Sequence, residues 1–160
     1  MTLLNAPEFD EQKENRKRNI LVWSGITAAA LVLLTVAGFL LGHGWFFMNL
    51  PAEHRVSVFL STVQAGDYSK AYGMYYNDPN WQQHPDKYKD YPLQRFTEDF
   101  TTESEWKGQI TSFHVRCSKR GNTGTAVSAT INGSTNMTLD YLRADGTLSA
   151  FPPFQLTCGF

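Results

Sequence analysis

The sequence predicts an α+β architecture: one transmembrane helix near the N-terminus, then a small domain of about three helices packed on a curved antiparallel sheet. Three observations predict it. Residues 20–42 carry no charged side chain, although the chain holds 14 Lys+Arg and 15 Asp+Glu. Beyond residue 52 the apolar residues first recur at helical spacing. From residue 113 onward they alternate with polar ones, and period two with β-branched and aromatic side chains marks strands with one buried face.

The 160 residues leave room for one domain and an anchor. The expected boundaries are a cytoplasmic tail over 1–19, a transmembrane helix over 20–42, a connector over 43–51 and an extracytoplasmic domain over 52–160. A near-zero charge balance argues against nucleic acid as a partner, because phosphate contact calls for a basic face.

The anchor is Ile20 to Leu41, ILVWSGITAAALVLLTVAGFLL, with no charged, Asn, Gln or Pro side chain. At ~1.5 Å per residue such a helix spans about 33 Å, close to the hydrocarbon thickness of a bilayer. In lipid the backbone must satisfy its own hydrogen bonds, which makes a lone segment helical. Trp23 at one end, and Trp45, Phe46 and Phe47 past the other, fit the interfacial belts. A cleaved signal peptide has a shorter apolar core, about 7–15 residues. Gly42-His43-Gly44-Trp45-Phe46 is also a poor cleavage site. Lys13, Arg16, Lys17 and Arg18 precede the span, and only Arg55 follows closely, so the N-terminus is expected inside and the domain outside. Gly25-x-x-x-Ala29 and Gly38-x-x-x-Gly42 place small residues a helical turn apart, a spacing that permits helix-mediated self-association. The tail, of mixed charge, is expected to be disordered or to lie along the membrane surface.

In the domain, Pro51 suits the first turn of a helix whose stripe is Val56, Phe59, Leu60 and Val63. Ala65-Gly66 ends it, and Asp67 caps a second helix over Tyr68 to Tyr76, with Ala71, Tyr72 and Tyr75 on one side. Asn77 to Asp90 reads as a loop, and Pro92 opens a third helix with Leu93, Phe96 and Phe100, running to about residue 102. Strands follow: Phe113, Val115 and Cys117 share one face; then Val127, Ala129 and Ile131; then Met137, Leu139 and Tyr141. Lys119-Arg120-Gly121-Asn122 and Asn132-Gly133-Ser134 supply turns, and Asp145-Gly146 signals a hairpin into a last strand over Leu148 to Phe151. Pro152-Pro153 breaks that strand.

The run Phe59-Leu60-x-x-Val63-Gln64-Ala65-Gly66-Asp67-Tyr68-Ser69-Lys70-Ala71-Tyr72 resembles the opening helices of membrane-anchored or secreted NTF2-like (cystatin-like, lumazine-binding-like) domains. Leu139-Asp140-Tyr141-Leu142-Arg143-Ala144-Asp145-Gly146-Thr147-Leu148 is similar to their final hairpin. The resemblance covers roughly Ala52 to Phe151 and implies helices laid on a curved sheet that encloses a cone. The family's late tryptophan is absent, and Phe151 or Phe154 would fill its place. Enzymes of that family set an Asp or His inside the cone. Here the strand residues able to do so are Asp140 and His114.

Cys117 and Cys158 are the only cysteines, and on the outer side of a membrane they are expected to form a disulfide. Neither has a close second ligand, so no metal is expected, and no cofactor motif is present. His43, His54, His84 and His114 show no ligand spacing. There is no nucleophile elbow, phosphate loop, dinucleotide fingerprint or metalloprotease motif. Glu98-Asp99 and Glu103/Glu105 read as solvated acids. Asn132-Gly-Ser134 and Asn136-Met-Thr138 match the N-glycosylation pattern, which matters only in a eukaryotic secretory pathway. The expected setting is instead a bacterial inner membrane, with the domain facing the periplasm.

Tyr72, Tyr75, Tyr76, Trp81, Tyr88 and Tyr91, with Trp106 nearby, exceed what a loop requires. They read either as the cap of a small core or as a pocket or interface. The residues assigned to a ligand or partner surface are Tyr76, Trp81, Tyr88, Trp106 and His114. The function expected is an anchored binding or structural module without evident catalysis, whose partners are the bilayer and a protein or small ligand. The alternatives are an isomerase or hydratase working in the cone, or an accessory subunit of a membrane complex.

Overall fold

A computed structural model describes residues 11–41, 46–150, 156 and 158, with the side chains of 46 and 47 left out. The start of the tail, Gly42, the connector up to Trp45, and Phe151 and Phe154 lie outside the described residues, so of the second small-residue pair only Gly38 is described.

Helix α1 runs over Glu11–Leu40. It starts nine residues before the apolar stretch, so the second half of the expected tail is helical and continuous with the span. The helix is long and apolar enough to cross a membrane. A core helix of a soluble protein would have its side chains covered, whereas Leu21 and Leu33 are 74 % and 69 % exposed. The few polar side chains in its apolar part are satisfied by its own backbone. Ser24 Oγ donates to Leu21 O at 2.9 Å, Thr27 Oγ1 to Trp23 O at 2.8 Å and Thr35 Oγ1 to Leu31 O at 2.9 Å.

Helix α2 spans Phe46–Gln64, so Pro51 lies inside it. The expectation that Pro51 opens the helix, after a connector reaching to residue 51, is corrected here. A proline removes one donor and fixes φ near its helical value, and five residues of helix precede it nonetheless. The predicted stripe is the buried one: Val56, Phe59, Leu60 and Val63 are all fully enclosed. Gly66, at φ +77°, takes the left-handed position that ends the helix. Asp67 Oδ1 then accepts from Lys70 N at 3.0 Å and starts α3, Tyr68–Tyr75.

The stretch to Asp90 contains two short 3-10 turns, Trp81–Gln83 and Pro85–Tyr88, which the reading as a plain loop did not contain. Helix α4 covers Leu93–Asp99 with Pro92 at its N-cap, and is about a turn shorter than expected. Strands β1 (Phe113–Arg120), β2 (Gly124–Ile131), β3 (Thr135–Leu142) and β4 (Leu148–Ser149) form an antiparallel meander in the order β1-β2-β3-β4. Of the expected last strand, two residues pair with β3.

The register between β1 and β2 shifts between Val115 and Cys117: Val115 faces Ala129, whereas Cys117 faces Ser128. Arg116 is the extra residue of this bulge. A one-residue insertion moves every later side chain to the other face. Cys117 is therefore not on the face of Phe113 and Val115, as strict alternation implied. It lies on the far face, away from the helices, and its sulfur is bonded to Cys158 with Cα atoms 5.9 Å apart.

The helix-facing side of the sheet carries Val127, Ala129, Ile131, Leu139 and Leu148, which pack with the α2 stripe, Tyr72, Phe96 and Phe100 into one core. Phe59 meets Phe96 and Phe100 edge-on, at ring separations of 6.2 and 5.4 Å. The far face is closed at its centre too, where Ala126, Ser128, Cys117 and Asp140 are buried.

Candidate functional site

In an NTF2-like cone a ligand would lie between helices and sheet. Aromatic and aliphatic side chains fill that space. Asp140 pairs across to Ala126, and His114 to Thr130, so both share the far face with Ser128 and Cys117. His114 is exposed. Asp140 is 2 % exposed, and its Oδ1 has no hydrogen-bond partner among the described residues. Burial raises its carboxyl above the usual 3.8, and the Arg143 guanidinium opposes that shift. A Cβ at Gly124 would collide with this carboxylate and would reach Tyr141 O at 2.7 Å, which explains a glycine at that strand position.

The aromatic run splits into two groups. In the first, Tyr76, Trp81 and Tyr88 surround the buried Tyr72 at ring separations of 5.1, 4.8 and 6.0 Å. Desolvation above all pushes the Tyr72 hydroxyl up to about 12, so it stays a donor, to Tyr91 O at 2.5 Å. Tyr88 is buried as well and donates to Asp78 Oδ2 at 2.6 Å. That bond, with help from His84 at 3.0 Å, holds the Asp78 carboxyl below the usual range. Trp81 Nε1 donates to Ser69 O at 3.1 Å. Most of this group therefore caps the core, and Tyr88, though 6 % exposed, borders a cavity together with Tyr76. Tyr76 and Trp81 are half-buried, and each lines a cavity.

Trp106 belongs to the second group, with Phe100 at a ring separation of 6.2 Å. The two rings and Met137 form the apolar part of a cleft of about 630 Å³ between the end of α4, the segment after it, and β3. Acids ring it. Asp99 accepts from Tyr91 Oη at 2.7 Å and pairs with Arg95 at 3.0 Å, while Glu103 and Glu105 are exposed. Burial, then the Asp99 bond, raises the Tyr91 hydroxyl and keeps it a donor. Trp106 Nε1 is buried without an acceptor among the described residues. The floor includes Asn136 and Thr138, which stand where β3 runs past the two residues of β4. In the ladder, Leu142 N bonds Thr147 O at 2.9 Å, so the backbone groups of even-numbered β3 residues point away from β2. Those of Asn136 and Thr138 therefore face away from β2, beyond the two paired residues of β4.

Sequence reasoning named Trp106 but missed its neighbours. Glu103 and Glu105 read as solvated acids, and Met137 as a strand residue like any other. The residues of the cleft come from segments about thirty positions apart, and no local pattern joins them. Among the described residues no group of three or more His, Cys, Asp or Glu is placed to hold a metal ion. The Asn132 carboxamide is engaged: Oδ1 accepts from Thr111 N at 2.8 Å, and Nδ2 donates to Gln109 O at 3.1 Å. It works as a turn lock beside β1. No family model, curated protein or solved structure matches this chain.

Proposed function

We propose that the chain is a single-pass, membrane-anchored binding module whose NTF2-like domain, on the outer side of the membrane, holds a protein partner or small ligand in the Trp106 cleft. The observation that carries this reading is the cleft itself: an apolar base of Phe100, Trp106 and Met137 under an acidic rim. Convergent polar groups around an apolar floor are what a recognition site of this size uses. The order of helices before a meander, and the opening run from Phe59 to Tyr72, support the NTF2-like assignment. The far-face positions of Asp140 and His114 favour binding over an isomerase or hydratase, which would need one of them inside the cone.

The test is site-directed photocrosslinking in native membranes, with a benzophenone side chain at Glu103 and, as a control, at the exposed Lys89. A discrete adduct at Glu103, lost in Trp106→Ala and reduced in Glu105→Lys, is expected. Equal adducts at both positions, or adducts indifferent to Trp106 in a folded variant, would overturn the cleft as the site.

A further inference from the structure

A second cavity, of about 450 Å³, lies between α2, α3 and the turn at residues 79–82, and shares no lining residue with the cleft. Its chemistry is the reverse: it is basic. Arg55 reaches from α2 to the C-terminal end of α3, where one terminal nitrogen, Nη2, donates to Met74 O at 3.1 Å and to Asn77 Oδ1 at 2.9 Å. Both acceptors are neutral. Among the described residues no carboxylate lies within 4.0 Å of this half-buried guanidinium. Its Nε is buried without an acceptor, and Nη1 makes no hydrogen bond within the described residues. A partly desolvated cation left without counter-charge is held at a cost that an incoming anion relieves.

The rest of the lining fits such a guest. Lys70 adds a second cation, exposed and without an ion pair among the described residues. The one acid, Asp67, is committed to capping α3 through Lys70 N at 3.0 Å. Trp81 forms a fixed wall, pinned by its bond to Ser69 O and seated over Gly73, where a Cβ would stand 3.1 Å from Trp81 Cδ1. Met74 adds a thioether, and Gln82 brings an amide to the rim, 3.4 Å from Ser69 Oγ. The wall is thus preformed and mixed: cationic on the Arg55 and Lys70 side, apolar on the Trp81 and Met74 side.

We propose that this cavity binds a small organic anion, its carboxylate or phosphoryl oxygens facing Arg55 and Lys70 and its apolar body lying against Trp81 and Met74. The anionic group belongs either to a free small molecule or to a lipid headgroup. The test uses the full-length, nitrogen-15-labelled chain in phosphatidylcholine nanodiscs, titrated with benzoate and with phenyl phosphate. Benzyl alcohol and sodium chloride at matched ionic strength are the controls. Saturable shifts of the Ser69, Lys70, Gly73 and Gln82 amides with the anions alone are expected. Lys70→Gln should weaken binding about threefold and Arg55→Lys about tenfold, as loss of one and of two charge-assisted contacts implies. A parallel arm without titrant uses nanodiscs containing phosphatidylglycerol, and shifts of the same amides there assign the anion to a headgroup. No saturable shift with either anion together with no shift in phosphatidylglycerol, equal response to benzyl alcohol, or indifference to Lys70→Gln, a change at an exposed position, would overturn the proposal.

Discussion

Asp140 sits in surroundings that offer its carboxylate little. Ala126 faces it across the sheet, Gly124 leaves just enough space for it, and Oδ1 has no partner among the described residues. Arg143 is close enough to help, but its guanidinium is spread over the carbonyls of Gly121, Asn122 and Gly124. Burial dominates, so the folded protein holds the Asp140 proton more tightly than the unfolded chain does. The sign follows from linkage. Below the usual 3.8 both states are protonated, and the residue is neutral to stability. As pH rises towards its folded value the native state still holds the proton, and its stability falls; above that value the penalty is constant. Asp140→Asn should match wild type in acid and exceed it at neutral pH, read as the difference between urea midpoints from about pH 3 to about pH 8. A difference that does not change with pH would show that the carboxylate is well solvated. The sequence set Asp140 among the polar residues that alternate with Met137, Leu139 and Tyr141, and offered it with His114 for a cone interior. Alternation gives parity, but which parity meets the helices is settled by packing far away along the chain.

At the scale of elements, legibility followed periodicity. The α2 stripe, the Asp67 cap and the three alternating strands stand in the structure where the pattern placed them, because each rests on local geometry. Two features escaped. Pro51 read as a start because prolines favour first turns, yet the helix runs back to Phe46. The bulge at Arg116 had no Gly or Pro to announce it, and it reverses the face of Cys117. That reversal matters for the disulfide. It carries the thiol to the far face, where Cys158 meets it, 41 residues on. The bond thereby ties the end of the chain to β1, at the opposite edge of the sheet from β4. In the chain-entropy model a loop of this length is worth ~4 kcal/mol, acting through the unfolded state. Cys117→Ser with Cys158→Ser should lower the stability of the domain by about that amount in urea unfolding, with the native spectrum retained. A loss below about 1 kcal/mol would mean that the unfolded chain is already compact without the cross-link.

For the whole molecule, two unrelated observations bear on the sidedness proposed for the domain. Four basic residues, Lys13, Arg16, Lys17 and Arg18, precede the apolar part of α1, and the structure makes them part of the same helix. They sit directly below the span rather than on a wandering tail, and positive charge resists translocation most strongly when it is close to the apolar segment. The Cys117–Cys158 bond points the same way by different physics, since a disulfide persists where thiols are not kept reduced. The two can therefore be tested against each other. A reporter that functions only in the cytoplasm, fused after Phe160, should be silent, and the chain should resist extraction by alkaline carbonate. Replacing the four basic residues by Gln and adding Lys beyond the span should turn the reporter on in part of the population. That part should also show two alkylatable thiols, because inverted domains face a reducing compartment. An active reporter on the wild-type chain would reverse the orientation. Inverted chains that keep the bond would separate the disulfide from the compartment and leave the flanking charges as the sole support for sidedness.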